Sequence, residues 1–128
     1  MPNKVTFEYA IIRLVPKVER EEFFNIGVIL FSKRKKFLGV KYNVNPKKLQ
    51  AFSCELGLEA IHNYLKSWEL ISKGSPSGGA IAQFELSDRF RWLAASRSTI
   101  IQSSKTHCGI TDNPERELQT IFEKHVLD

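Results

Sequence analysis

Apolar and polar residues alternate along the first third of the chain. Val5, Phe7, Tyr9 and Ile11 share one face of an extended segment, and Thr6, Glu8, Ala10 and Ile12 share the other. The pattern predicts a strand over 5–15, closed by Pro16, which cannot donate to a ladder. Charged residues at 17–21 predict a turn. A second strand is expected over 22–31, with Phe24, Ile26, Val28 and Leu30 on one face and Phe23, Asn25, Gly27, Ile29 and Phe31 on the other. Both faces are largely apolar, which predicts a central strand covered on both sides. Ser32 to Lys36 reads as a hairpin loop and 37–42 as the returning strand.

The period then changes from two to 3.6. Asn45-Pro46 is an N-cap followed by proline at the first helical position, and predicts a short helix ending near Cys54. Leu58, Ile61, Leu65, Trp68 and Ile71, joined by Tyr64, form an amphipathic stripe that Gly74 terminates. Ser87 or Asp88 is expected to cap a short helix through Ala95, carrying Phe90, Trp92 and Leu93. Residues 99–103 and 106–111 read as extended pieces. Asn113-Pro114 repeats the cap-plus-proline start, and Leu118, Ile121, Phe122 and Val126 stripe the last helix. The order strand-strand-strand-helix predicts an α+β fold: an antiparallel meander with the 58–72 and 114–126 helices packed on it, in a single domain over 1–128.

Composition narrows the class without naming a role. The chain has 128 residues, enough for one core, and 42% hydrophobic residues. No apolar run spans a bilayer and the start lacks a signal-peptide core, so the expected compartment is the cytoplasm. Two cysteines, Cys54 and Cys108, make no disulfide framework. Residues 1–48 carry 11 Lys/Arg against 4 Asp/Glu, whereas the rest of the chain is slightly acidic. A basic half suits an anionic partner. The run Lys33-Arg34-Lys35-Lys36 contains no interleaved aromatic, however, so any nucleic-acid binding is expected to be weak and salt-sensitive.

The polar residues in apolar settings are the candidates for chemistry. Asn25 and Gly27 interrupt the most apolar strand; a bulge with a structural Asn is the plainer reading, a close-packed ligand or backbone the sharper one. Arg13 falls on the Phe7/Tyr9/Ile11 face, and Glu22 is the expected partner for it across the first hairpin. Arg97 and Ser98 follow a helix and precede a strand, where a guanidinium could hold a carboxylate or phosphate bidentately or cap helix carbonyls. Gln102 and His107 belong to the same polar stretch. His107 and Cys108 are neighbours in an extended segment and point to opposite faces, so they make no dyad. The glycines of 74–79 lack the Lys-Ser/Thr ending of a phosphate loop. No catalytic, metal-ligating or cofactor signature is present.

Tyr9-Ala10-Ile11-Ile12-Arg13-Leu14-Val15-Pro16, Glu22 to Leu30, Phe37-Leu38-Gly39, Arg91-Trp92-Leu93, Arg97-Ser98-Thr99, Gln102, His107, Gly109, Pro114-Glu115 and Glu117-Leu118 together resemble the bacterial family of domain of unknown function 3037. The resemblance covers nearly the whole chain; Ser96 departs from it, where many members have proline. It implies no activity. It implies shared positions at Arg13, Glu22, Asn25, Gly27, Arg97, Ser98, Gln102 and His107, and a protein partner, since members are often encoded beside kinases resembling the toxin HipA.

Two readings result. The first is a small non-enzymatic binding module that engages a protein partner such as a HipA-like kinase, without a cofactor. The second is an enzyme, or a nucleotide or nucleic-acid binder, whose cleft is built from Arg13, Glu22, Asn25, Arg97, Ser98, Gln102 and His107, with Arg97 at its centre. Size and the lack of a catalytic signature favour the first.

Overall fold

The computed structural model describes residues 3–16, 22–52, 57–95 and 100–127. Its strands are β1 (Val5–Leu14), β2 (Phe24–Ser32), β3 (Phe37–Tyr42), β4 (Ile101–Ser103) and β5 (His107–Thr111). The helices are α1 (Pro46–Ala51), α2 (Leu58–Lys73), α3 (Leu86–Ala94) and α4 (Pro114–Phe122), the last running into a π-helical turn, Glu123–Leu127. The expected turn at 17–21 and the thiol of Cys54 lie outside the described residues.

The sheet is antiparallel throughout, in the order β3-β2-β1-β4, and β5 continues the β4 edge by pairing with the first half of β1. The meander read from the alternation is therefore present, and β2 lies inside the sheet. Ser104 carries the edge across the gap between β4 and β5: its N–H donates to the Ile11 carbonyl and its hydroxyl accepts from the Ile11 N–H.

Helices cover both faces. On one side Ile61, Leu65, Trp68 and Ile71 of α2 and Phe90 and Leu93 of α3 bury Ile12, Leu14, Phe24, Ile26, Ile29 and Phe31. On the other, Leu118, Ile121, Phe122 and Val126 close on Phe7, Ile11, Val28 and Leu30. These are the two expected stripes, except that Tyr64 stays at the rim, 41% exposed. Expulsion of water from both faces is the main stabilising term, and β2 contributes to both.

The faces of β2 differ from strict alternation. Phe24 and Ile26 pack with Ile29 and Phe31, not with Val28 and Leu30. The cause is a bulge: Ile12 pairs with Gly27, whereas the next residue, Arg13, pairs with Asn25. The extra residue on β2 reverses the parity of everything after it. A Cβ on Gly27 would stand 2.6 Å from the Lys41 carbonyl oxygen, so the close backbone approach expected there is real.

Local signals set the helix ends. Asn45 caps α1 by accepting from the Lys47 N–H, and Asn113 caps α4 by accepting from the Arg116 N–H. α2 ends where Gly74 turns left-handed at φ 67, its N–H donating to Ile71 and that of Ser75 to Leu70. The cap expected at Ser87 or Asp88 is not there: both lie inside α3, which begins at Leu86 after Glu85, and no side chain caps it. Among the described residues no helix is long and apolar enough to cross a membrane.

Candidate functional site

Three of the polar residues in apolar settings form one row across the sheet. Arg13 on β1 is paired with Asn25 on β2 and with Gln102 on β4. Directly paired residues of antiparallel strands present their side chains to the same face. That face is the one covered by α4, and the row lies at its end.

The row is held from two sides. The Asn25 amide donates to the His125 carbonyl in the π-helical turn at 3.1 Å. The Arg13 guanidinium lies over the Phe23 ring, 4.2 Å from its centre. The Arg13 Nε is buried without a hydrogen-bond partner among the described residues. A cation held face-on against an aromatic ring, with one donor already desolvated, is oriented before any ligand arrives.

The expected Arg13–Glu22 ion pair is absent among the described residues. Alternation sends Phe23 and Asn25 to the side of Arg13 and Phe24 to the other, so the ring takes the place foreseen for the carboxylate. Glu22 is exposed at the entry to β2 and has other interactions. Phe23 itself, 46% exposed, is a site residue that the sequence pattern does not point to. An aromatic two positions before an in-strand Asn is the signal that could have flagged it.

His107 pairs with Tyr9, four residues before Arg13 on the same strand face, and its ring stacks on that of Tyr9 with centroids 5.1 Å apart. It is exposed and stands apart from the Arg13 row. Arg97 and Ser98 lie outside the described residues, so the centre expected at Arg97 passes to Arg13 among those that are described. Cys108 is a free, exposed thiol on β5.

Beside Asn25 opens a cleft of about 250 Å³. Asn25, Asn43, Asn45 and Lys48 line it from the sheet and α1, and Val126 and Leu127 from the C-terminal turn. Its carboxamides can both donate and accept, and its one charged group is a cation. Asn45 spends one oxygen on the α1 cap. Together with the Arg13 row, the region offers donors and positive charge to an anionic or amide-rich ligand. No group of three His, Cys, Asp or Glu placed to hold a metal occurs among the described residues.

A protein-family model described as "Protein of unknown function (DUF3037)" matches residues 9–126. No curated protein and no solved structure matches.

Proposed function

The chain belongs to the DUF3037 family, and we propose that it is a small non-enzymatic binding module that engages a protein partner through the Arg13 end of its sheet. The observation that carries this reading is the guanidinium clamped on Phe23 between Asn25 and Gln102. An arginine set this way presents a planar fork to a carboxylate, the anion most abundant on protein surfaces. Phe23, 46% exposed, supplies apolar contact beside it, and Leu127, 51% exposed, does so in the cleft at Asn25. On this reading the setting is the bacterial cytoplasm, and a HipA-like kinase is the first partner to try. Arg97, Ser98 and His107 belong to the same reading as further contacts.

The test is titration of the full chain against a purified HipA-like kinase, with Arg13→Met and Phe23→Ala beside the unaltered protein. Binding that Arg13→Met abolishes, with the melting curve preserved, supports the module. Binding indifferent to Arg13→Met places the interface elsewhere. The cleft beside Asn25 favours one alternative, a nucleotide or other small-anion site on an enzyme or binder; saturable nucleotide binding lost on Lys48→Ala would establish it.

A further inference from the structure

A second cleft, of about 220 Å³, opens on the opposite face of the sheet between α3 and the β1–β5 edge. Its floor is a cross-strand pair, Glu8 on β1 opposite Phe31 on β2. Its wall is the helical face of Ser87, Phe90 and Arg91, residues one turn apart. The wall is fixed to the floor by the stack of Phe31 on Phe90, whose ring centres are 5.1 Å apart. Thr106 closes the side toward β5.

The charges in this cleft do not satisfy each other. Glu8 is half-buried, and no hydrogen bond or ion pair reaches its carboxylate among the described residues. Arg91 lines the same space with its side chain 77% exposed, and among the described residues it makes only a long contact to Asp88, 3.7 Å away. Such exposed pairs contribute little and exchange readily. Glu8 disfavours an anion in the cleft and Arg91 disfavours a cation. A ligand carrying both charges bridges them. Two hydroxyls, Ser87 and Thr106, can complete its hydrogen bonds, and the edges of Phe31 and Phe90 can receive an apolar side chain. The cleft is smaller than the roughly 300–1,000 Å³ of drug-sized sites, which fits a small molecule.

We propose that this cleft is a binding site for a free α-amino acid with an apolar side chain, its ammonium on Glu8 and its carboxylate on Arg91. The site is separate from the Arg13 row and does not depend on the reading given to that row.

The experiment is calorimetric titration of the full chain with L-phenylalanine and L-leucine. Phenethylamine and 3-phenylpropionate, each keeping one of the two charges, are run in parallel. Binding of an amino acid is expected, with each singly charged analogue weaker by about tenfold or more, the loss of one charge-assisted hydrogen bond. Glu8→Gln and Arg91→Gln are each expected to weaken it by a similar factor, and Arg13→Met to leave it unchanged. Absence of binding by any of the twenty common amino acids at about 10 mM overturns the proposal. So does an amine or a carboxylate binding as well as the zwitterion, which would make this a simple ion site. The ligand series is measured on the unaltered protein, so the proposal is decided even where a variant fails to fold.

Discussion

The guanidinium carbon of Arg13 stands 4.2 Å over the centre of the Phe23 ring, while the Nε of the same side chain is buried without a partner among the described residues. The first contact contributes about 0.5–1 kcal/mol at a partly exposed site. The second costs a comparable amount, because a desolvated donor has lost its water and gained nothing. The two nearly cancel in the isolated protein. Arg13→Met keeps the apolar stem and removes the orphaned donor, so its unfolding free energy is expected to lie within about 1 kcal/mol of the unaltered protein. Urea denaturation checks this. A larger loss would mean that Arg13 is a structural residue, and the binding role given to it would fall.

Gly27 is the pivot of the bulge. A methyl group there meets the Lys41 carbonyl oxygen at 2.6 Å and the Ile12 Cδ1 at 3.0 Å. The first neighbour is backbone and cannot step aside without parting β2 from β3. Gly27→Ala is therefore expected to cost about 1–3 kcal/mol, as overpacking in a well-packed core does. A urea midpoint unchanged by the substitution would show that the strands separate there without penalty.

The strands and helical stripes were legible because each rests on a period that burial enforces: two for β1, 3.6 for α2 and α4. The faces of β2 beyond Ile26 were not, because one inserted residue reverses parity and leaves only an Asn and a Gly as its mark in sequence. The cross-strand row Asn25–Arg13–Gln102 was partly legible. All three residues stand out as polar in apolar surroundings, but which strands meet is decided by topology, and Gln102 reaches Arg13 only through β4. Phe23 carried only a weak local signal, an aromatic two positions before an in-strand Asn, and the Glu8–Arg91 cleft carried none. An aromatic next to a strand reads as core, and a glutamate in an alternating strand reads as solvent-facing.

Tyr42 donates its hydroxyl proton to Glu69 at 2.8 Å, and Lys73 holds the other carboxylate oxygen at 2.9 Å, tying β3 to α2. Burial, then the hydrogen bond to Glu69, then the charge of Glu69 push the Tyr42 phenol from 10.0 up to about 12. Hydrogen bonds from Lys73 and Tyr42 hold Glu69 below the usual carboxylate range. A raised phenol means that the folded chain keeps a proton the unfolded chain releases. Its stabilisation is complete below pH 10 and is lost as pH rises toward 12. Tyr42→Phe is expected to cost about 1 kcal/mol at neutral pH and to remove that alkaline component. Melting temperatures of the two proteins should converge between pH 10 and 12. A constant difference across that window would show that the hydroxyl is not titrating against the fold. The lowered Glu69 acts in the opposite sense, since its contribution is present above the ordinary carboxylate range and disappears on acidification.

Arg89 joins the ends of two helices and a loop. Its Nη1 donates to the Ile71 and Ser72 carbonyls at 2.9 and 3.0 Å, and its Nε donates to the Phe84 carbonyl at 3.0 Å. The first two are carbonyls of the last turn of α2, at the negative end of its dipole; that of Ile71 also accepts from the Gly74 N–H that closes the helix. The third fixes the segment between α2 and α3, so a single side chain sets where α3 begins against the end of α2. Three charge-assisted bonds in a partly wet site lead us to expect a loss of about 2 kcal/mol for Arg89→Ala, since water recovers part of what is removed. Arg89→Lys tests the geometry apart from the charge. A single ammonium can satisfy the helix end and the dipole but cannot also reach Phe84, so it should recover only part of the loss. Hydrogen exchange gives the local reading: in Arg89→Ala the amides of Gly74 and Ser75, which close the end of α2, should lose protection ahead of those in the middle of the helix. Full recovery by lysine would mean that the charge alone is needed, and that the fork linking α2 to the loop before α3 has no part in holding the two helices in register.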